Sequence, residues 1–255
     1  VKSISGLDFI ESKTFEGENL SRITVGESLF YFYGLETNGL FQAGDDTSAQ
    51  PTAAPGDIRF VDQDENGIID ADDNVKIGNP FPEFTYGLNL TANYKQFDAS
   101  LFINGVSGND IYNTTIYDLE GMTRLFNAGT AVLDRWTPTN TNTNIPRYTA
   151  DHSDNVNRSD RFVEDGSYAK LRNLTIGYSL DNSSLTNIAN GTFSKCRLYL
   201  TGQNLLTITN YSGYDPEIGG STVTPNQLSP AAGIGIDRGT YPQPRSIILG
   251  VQLAF

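Results

Sequence analysis

This sequence predicts an all-β fold: a segment of an antiparallel transmembrane β-barrel wall carrying long extracellular loops. Three observations carry that expectation. Several segments alternate apolar and polar residues with a period of two, which is the pattern of a strand with two different faces. The polar faces hold Thr, Asn, Gly, Ser and Gln in place of the Lys and Glu of a water-soluble sheet, as a wet barrel lumen requires. Short and very long connections alternate along the chain, a habit of outer-membrane barrels and uncommon in compact soluble domains.

Taken in order, the first well-defined strand sets Phe84, Tyr86, Leu88, Leu90, Ala92 and Tyr94 on one face, with Thr85, Gly87, Asn89, Thr91 and Asn93 on the other. A two-residue link at Lys95 and Gln96 leads into Phe97, Ala99, Leu101 and Ile103, which continue the apolar face. Leu174, Ile176, Tyr178 and Leu180 alternate with Thr175, Gly177 and Ser179; Cys196, Leu198 and Leu200 alternate with Lys195, Arg197, Tyr199 and Thr201. The last strand runs through Ile247, Leu249, Val251 and Leu253 to Phe255, and a terminal aromatic on such a strand suits an outer-membrane barrel. Weaker candidates lie at 7–10 and 20–25. Links at 95–96 and 181–191 are short; those at 27–82, 105–166 and 206–244 are long, and strand parity puts all three long ones on one side. Within them, Leu125, Ala128, Val132 and Leu133 predict a short helix inside 119–136.

Composition narrows the function. The 255 residues include 14 Phe and 13 Tyr against one Trp and one Met, a mix that favours half-buried strands over helical bundles or disorder. A net charge of −13 argues against a nucleic-acid partner, which needs clustered positive charge. One cysteine, Cys196, excludes an internal disulfide framework and a multi-cysteine zinc site. The lone histidine, His152, stands between Asp151 and Ser153, and three consecutive residues cannot adopt the geometry of a catalytic triad. Carboxylates such as Glu164, Asp165, Asp215 and Glu217 could supply a glycosidase pair only at a separation that sequence does not reveal. No enzymatic activity is expected. The chain opens on Val1 without a charged-then-apolar leader, which is expected of a cytosolic protein or of a piece taken from within a longer chain.

The sharpest local motif is residues 62–73, DQDENGIIDADD. It puts oxygen donors at loop positions 1, 3, 5, 9 and 12, glycine at 6 and an aliphatic residue at 8, the spacing with which an EF-hand-type loop wraps a hard cation. The expected ligands are Asp62, Asp64, Asn66, the carbonyl of Ile68, Asp70 (directly or through water) and Asp73, and the expected ion is Ca2+ in a structural role. Position 12 is Asp instead of the bidentate Glu, which shortens the reach. The flanks read as extended, so the loop, within an excursion spanning 56–80, stands without paired helices. A metal-free acidic turn held by its own side-chain hydrogen bonds is the competing reading. Aromatic residues also crowd the long connections. Asn109, Tyr112, Trp136, Tyr211 and Tyr214 are candidate substrate contacts, since rings stack on sugar faces while amides bond hydroxyls; packing of the loops on themselves is the plainer alternative.

Residues 56–70 (GDIRFVDQDENGIID) and 77–87 (IGNPFPEFTYG) resemble the C-terminal region of the SusC/RagA family of TonB-linked outer-membrane transporters. Further matching stretches are 105–113 (GVSGNDIYN), 135–138 (RWTP), 168–178 (YAKLRNLTIGY), 202–205 (GQNL) and 241–245 (YPQPR), with 23–26, 32–34 and 37–41 upstream. The resemblance implies that 1–255 is the C-terminal portion of a TonB-dependent barrel of about 22 strands that encloses a plug. It implies uptake of glycans or oligopeptides in Bacteroidetes-type bacteria. The implied partners are a SusD-like surface lipoprotein lid, TonB acting through a part of the transporter outside this chain, outer-membrane lipid, and the remaining barrel and plug segments. About seven strand candidates cannot close such a barrel. The alternative to a transporter segment is a soluble, calcium-stabilised carbohydrate-binding β-domain, in which the apolar faces would meet each other in a sealed interior.

Overall fold

A computed structural model describes residues 8–12, 19–122, 127–149, 154–181, 183, 192–219 and 233–254. His152, Phe255, Leu125 and Phe126 lie outside the described residues. The chain divides into two compact units: one made of Val1–Phe81, Asn109–Asp165 and Ser212–Thr240, the other of Pro82–Gly108, Gly166–Tyr211 and Tyr241–Phe255.

The second unit is one five-stranded antiparallel sheet. Its strands are β1 (Phe84–Tyr94), β2 (Phe97–Ser107), β3 (Tyr168–Ser179), β4 (Lys195–Thr209) and β5 (Ser246–Ala254), and each pairs with its neighbour in sequence. β1 and β2 form a hairpin in which Tyr94 faces Phe97 across the Lys95–Gln96 turn. Lys95 takes φ 54° there, a left-handed conformation that costs a side chain with a β-carbon some strain. In such a meander β1 starts, β2 ends, β3 starts, β4 ends and β5 starts at one end of the sheet, so the long connections all leave from that end.

Register carries the two-faced pattern across the sheet. Ala92, Ala99, Ile176, Leu200 and Leu249 form one apolar row, and Thr91, Ser100, Thr175 and Thr201 form a polar row on the opposite face. The Thr175 and Thr201 hydroxyls are hydrogen-bonded at 2.8 Å. On that same polar face Arg197 of β4 reaches Asp98 of β2 (Nε to Oδ1 2.8 Å), crossing β3 at Gly177. A β-carbon at Gly177 would meet both partners, so glycine leaves room for the ion pair to cross where another residue would push its ends aside. Arg172 sits at a bulge between Leu171 and Asn173 and bonds Asn104 Oδ1 at 2.8 Å.

The apolar face is not covered within the sheet unit. All eleven residues of β1 are exposed, and Leu90, Ile176, Leu200 and Leu249 keep roughly half or more of their surface open. Aromatic residues edge that face in two rows. Tyr94, Phe97 and Tyr178 are paired in register, with the Phe97 and Tyr178 rings 4.9 Å apart; Phe84 and Tyr86 stack at 5.8 Å eight residues up β1. Eight residues of strand span roughly 27 Å at about 3.4 Å each.

The first unit is built from the segments that sequence treats as long connections. Phe9–Ser12, Ser21–Thr24, Tyr31–Gly34 and Val75–Gly78 form a four-stranded sheet. The two weaker strand candidates thus belong here and not to the five-stranded sheet, since Phe9–Ser12 pairs with Ser21–Thr24 and the latter with Tyr31–Gly34. A core of Leu20, Phe32, Tyr112, Phe162 and Ile236 packs against Ile77, Ile116, Tyr117 and Val163. A second core joins Leu35, Leu40, Ile58, Phe60 and Trp136, with Ile69 against it. The expected helix within 119–136 is displaced: the helix is Thr114–Glu120, started by the Asn113 side chain accepting from the Thr115 N–H at 3.0 Å and ended at Gly121. Val132 and Leu133 lie in a 3-10 turn, Thr130–Asp134.

Candidate functional site

The acidic loop begins where a core strand ends. Ile58 and Phe60 bury their side chains, and the buried Gln50 amide clamps the strand by donating to the Ile58 carbonyl (3.2 Å) and accepting from the Phe60 N–H (2.8 Å). On leaving that strand the chain turns through Glu65 (φ 58°) and Gly67 (φ 83°). It then makes a single 3-10 turn, Ala71–Asp73, and enters the strand Val75–Gly78. Both flanks are extended, as the sequence predicts.

The turn gathers Asp62, Asp64 and Asp73, one carboxylate oxygen of each lying within 4.8 Å of the others. Backbone N–H groups point inward at them. Asp62 accepts from Asn66 (3.2 Å) and Gly67 (2.7 Å), and Asp64 accepts from Asn66 (3.1 Å). Asp73, 0% exposed, accepts from Gln63 and Asp70, both at 2.7 Å. Among the described residues none of the three carboxylates is ion-paired. Three like charges this close, with no Lys or Arg to offset them, suit a hard cation that takes oxygen ligands. The donor set therefore fits Ca2+.

The other expected ligands are engaged locally. Asn66 Oδ1 accepts from the Ile68 N–H at 2.8 Å, and its amide donates to Asp64. Asp70 caps the 3-10 turn by accepting from Asp72 N–H at 2.8 Å, in a reciprocal capping box with Asp73. Ile68 carries an exposed side chain, so only its carbonyl is in question as a ligand. Three of the six expected positions thus converge through side-chain oxygens.

The aromatic candidates separate sharply. Tyr112 is 1% exposed, packed edge-on to Phe32 (5.9 Å between centroids) and against Phe162 (5.8 Å), so it is a core residue. Trp136 is buried in the second core, its Nε1 donating to Gln42 at 3.1 Å and its ring lying against Gly56, where a β-carbon would not fit. Tyr211 is buried as well, and Asn109 is 8% exposed with its Oδ1 enclosed. These four burials share one cause: an aromatic or amide residue in a long polar segment is as useful for packing that segment as for binding. Tyr214 alone among the five is open, at 74% exposure. It lines a recess of about 350 Å³ with Thr115, Asp118, Leu119, Ser212 and Gly213. Sequence reasoning missed that recess because its wall is the helix Thr114–Glu120, whose start signal is only the Asn113 side chain.

Ionisable groups in this unit respond to burial. Desolvation raises the Asp110 carboxyl above its ordinary range against a 2.8 Å hydrogen bond from the Asn79 N–H, with the charge of Asp165, its partner across the strand pair, adding to the rise. Burial likewise raises Glu120 and lowers Arg161, which oppose that effect in each other through a 2.8 Å ion pair.

No family model matches the chain. It is 38% identical over 234 residues to TonB-dependent receptor P3 of Formosa agariphila, covering 90% of this chain and 22% of that protein. It is 33% identical over 267 residues to receptor P26 of the same organism, covering 100% of this chain and 26% of the relative. SusC of Bacteroides thetaiotaomicron, also a TonB-dependent receptor, is 25% identical over 262 residues, covering 95% of this chain and 24% of its own length. Among solved structures, the RagAB peptide transporter superposes with a TM-score of 0.75 at 23% identity, covering 98% of this chain and 25% of that one, which shows the fold. The chain thus spans about a quarter of the length of the relatives it matches, and these are receptors and transporters, not enzymes. A five-stranded meander with two unlike faces, too few strands to close, and matched end to end by a quarter of larger barrels, places the chain among the TonB-dependent receptors of the SusC/RagA family, as a partial segment of their barrel.

Proposed function

We propose that the chain forms the C-terminal barrel wall and extracellular loops of an outer-membrane transporter that imports glycans or oligopeptides. A SusD-like lipoprotein would serve as its lid, and TonB would act through a part of the receptor beyond this segment. The observation that carries the reading is the uncovered apolar face of the five-stranded sheet. It bears no charged side chain between two aromatic rows roughly 27 Å apart, close to the apolar band of about 25 Å that an outer-membrane barrel turns to lipid. The opposite face, with its Thr pair, Asn residues and the Asp98–Arg197 bridge, suits a hydrated lumen. Within the long connections, Asp62, Asp64 and Asp73 would hold a structural Ca2+, with Asn66, the Ile68 carbonyl and Asp70 completing the shell. A soluble sugar-binding domain is the weaker reading, because the sheet's apolar flanks would have to be sealed and they are open.

The test is made on the full-length receptor. Fractionation should recover it in the outer membrane, and affinity purification from detergent should bring down one surface lipoprotein. A strain lacking it should fail to take up a labelled oligosaccharide or oligopeptide. Recovery in the soluble fraction, or uptake of both cargo classes at the parental rate, would overturn the proposal.

A further inference from the structure

We infer that Asn66–Gly67, in the acidic loop, is a site of spontaneous deamidation whose rate is set by how often the loop opens. The sequence supplies the reacting pair: an asparagine followed by glycine, which has no side chain to screen its backbone nitrogen. Both residues are exposed, and a β-carbon at Gly67 would meet open space, so packing shelters neither. The reaction is intramolecular. The Gly67 nitrogen gives up its proton to water and attacks Asn66 Cγ. The new N–Cγ bond closes a succinimide ring as the Cγ–Nδ2 bond breaks and ammonia leaves, taking a proton back from water. Water then opens the ring, at the side-chain carbonyl to leave Asp or at the main-chain carbonyl to leave isoaspartate.

In the folded loop each reacting group is held by a hydrogen bond. Gly67 N–H donates to Asp62 Oδ2 at 2.7 Å, Asn66 Oδ1 accepts from Ile68 N–H at 2.8 Å, and the Asn66 amide donates to Asp64 Oδ2 at 2.9 Å. Asp62 Oδ1 also accepts from Asn66 N–H at 3.2 Å. Cyclisation requires the Asn66 side chain to swing onto the Gly67 nitrogen, so these bonds must give way first, and local opening limits the rate. Asn38–Gly39 is the contrast within the same unit. It is exposed as well, with Gly39 at φ 76° where the Thr37–Leu40 strand shifts register, and Arg59 bonds the Asn38 backbone carbonyl (3.0 Å) instead of its side chain. Either product at position 66 adds a carboxylate beside Asp62, Asp64 and Asp73, and isoaspartate also lengthens the backbone between them. An opening of the loop is thereby turned into a lasting covalent change. The inference stands on these bonds and requires neither a bound ion nor import.

The experiment uses the full-length receptor in detergent, held at mildly alkaline pH with a chelator and sampled over time. Peptide mapping by mass spectrometry separates Asn, Asp and isoaspartate at positions 66 and 38, and a sample in denaturant gives the rate without the loop's restraint. In the folded parent Asn66 should convert about tenfold or more slowly than in denaturant. Asp62→Ala removes two charge-assisted hydrogen bonds and should raise the folded rate at Asn66 about tenfold while leaving Asn38 unchanged. Asp62→Asn, which keeps one acceptor oxygen, should fall between. A folded parent that converts Asn66 as fast as the denatured chain, or no acceleration in either variant, would overturn the inference. Acceleration at both positions in Asp62→Ala would mark general unfolding, and Asp62→Asn then decides: faster conversion at Asn66 alone upholds the gate, and any other result overturns it.

Discussion

Asp73 shows how one side chain can serve both local structure and a cluster of converging carboxylates. It closes a capping box around a single 3-10 turn, is sealed from solvent, and still directs an oxygen toward Asp62 and Asp64. A cation there would tie the exit of one core strand to the entry of another. Asp62→Ala removes the carboxylate that accepts from two backbone N–H groups as well as a ligand, so it should weaken Ca2+ binding at least tenfold and make residues 56–80 cleavable by protease in the presence of Ca2+. A digestion pattern identical with and without Ca2+ in the unmodified receptor would show that the loop holds no structural ion. Asp110 makes a different prediction. Its folded-state pKa is raised, chiefly by desolvation, so its contribution to stability is fully present below the unfolded value of about 3.9 and is lost as pH rises through the higher folded value. Stability should therefore decline across that window, and Asp110→Asn should flatten the decline in pH-dependent chemical denaturation.

At the level of elements, alternation on the five long strands was legible because a period of two needs no tertiary information: successive side chains leave a strand on opposite faces. The register of β1 against β2 also followed, from the two-residue link. Alternation also predicts that the apolar face meets lipid and the Thr- and Asn-rich face the lumen, although β1 is exposed on both sides within this segment. Opposed substitutions on adjacent residues decide it. Leu90→Arg should cost about 2–4 kcal/mol of barrel stability and lower the receptor's abundance in the outer membrane, whereas Thr91→Arg, one residue on, should cost far less. Equal effects, measured by heat-modifiable migration in gels, would contradict the assignment of faces. The helix was misplaced for an equally local reason. Its apolar spacing continues weakly past Gly121 into a 3-10 turn, and the true start depends on one asparagine side chain.

For the whole molecule, the family was legible from motifs scattered between residues 23 and 245, and the all-β character from composition and period. The acidic loop's spacing was legible too, because a 12-residue ligand pattern is a local property. The fate of the aromatic candidates was not. Tyr112 and Tyr214 both stand in polar, turn-rich segments, yet one is locked between Phe32 and Phe162 and the other faces solvent. Their difference arises from residues 80 and 50 positions away in sequence closing on the first, while the second keeps an open ring. By itself, then, the order of residues determined strand identity, the two-faced chemistry of the wall and the oxygen-rich loop, since each depends on neighbours within a dozen positions. Only the tertiary structure decided that the long connections build cores of their own and which of their rings stay accessible, because burial is set by contacts between distant segments.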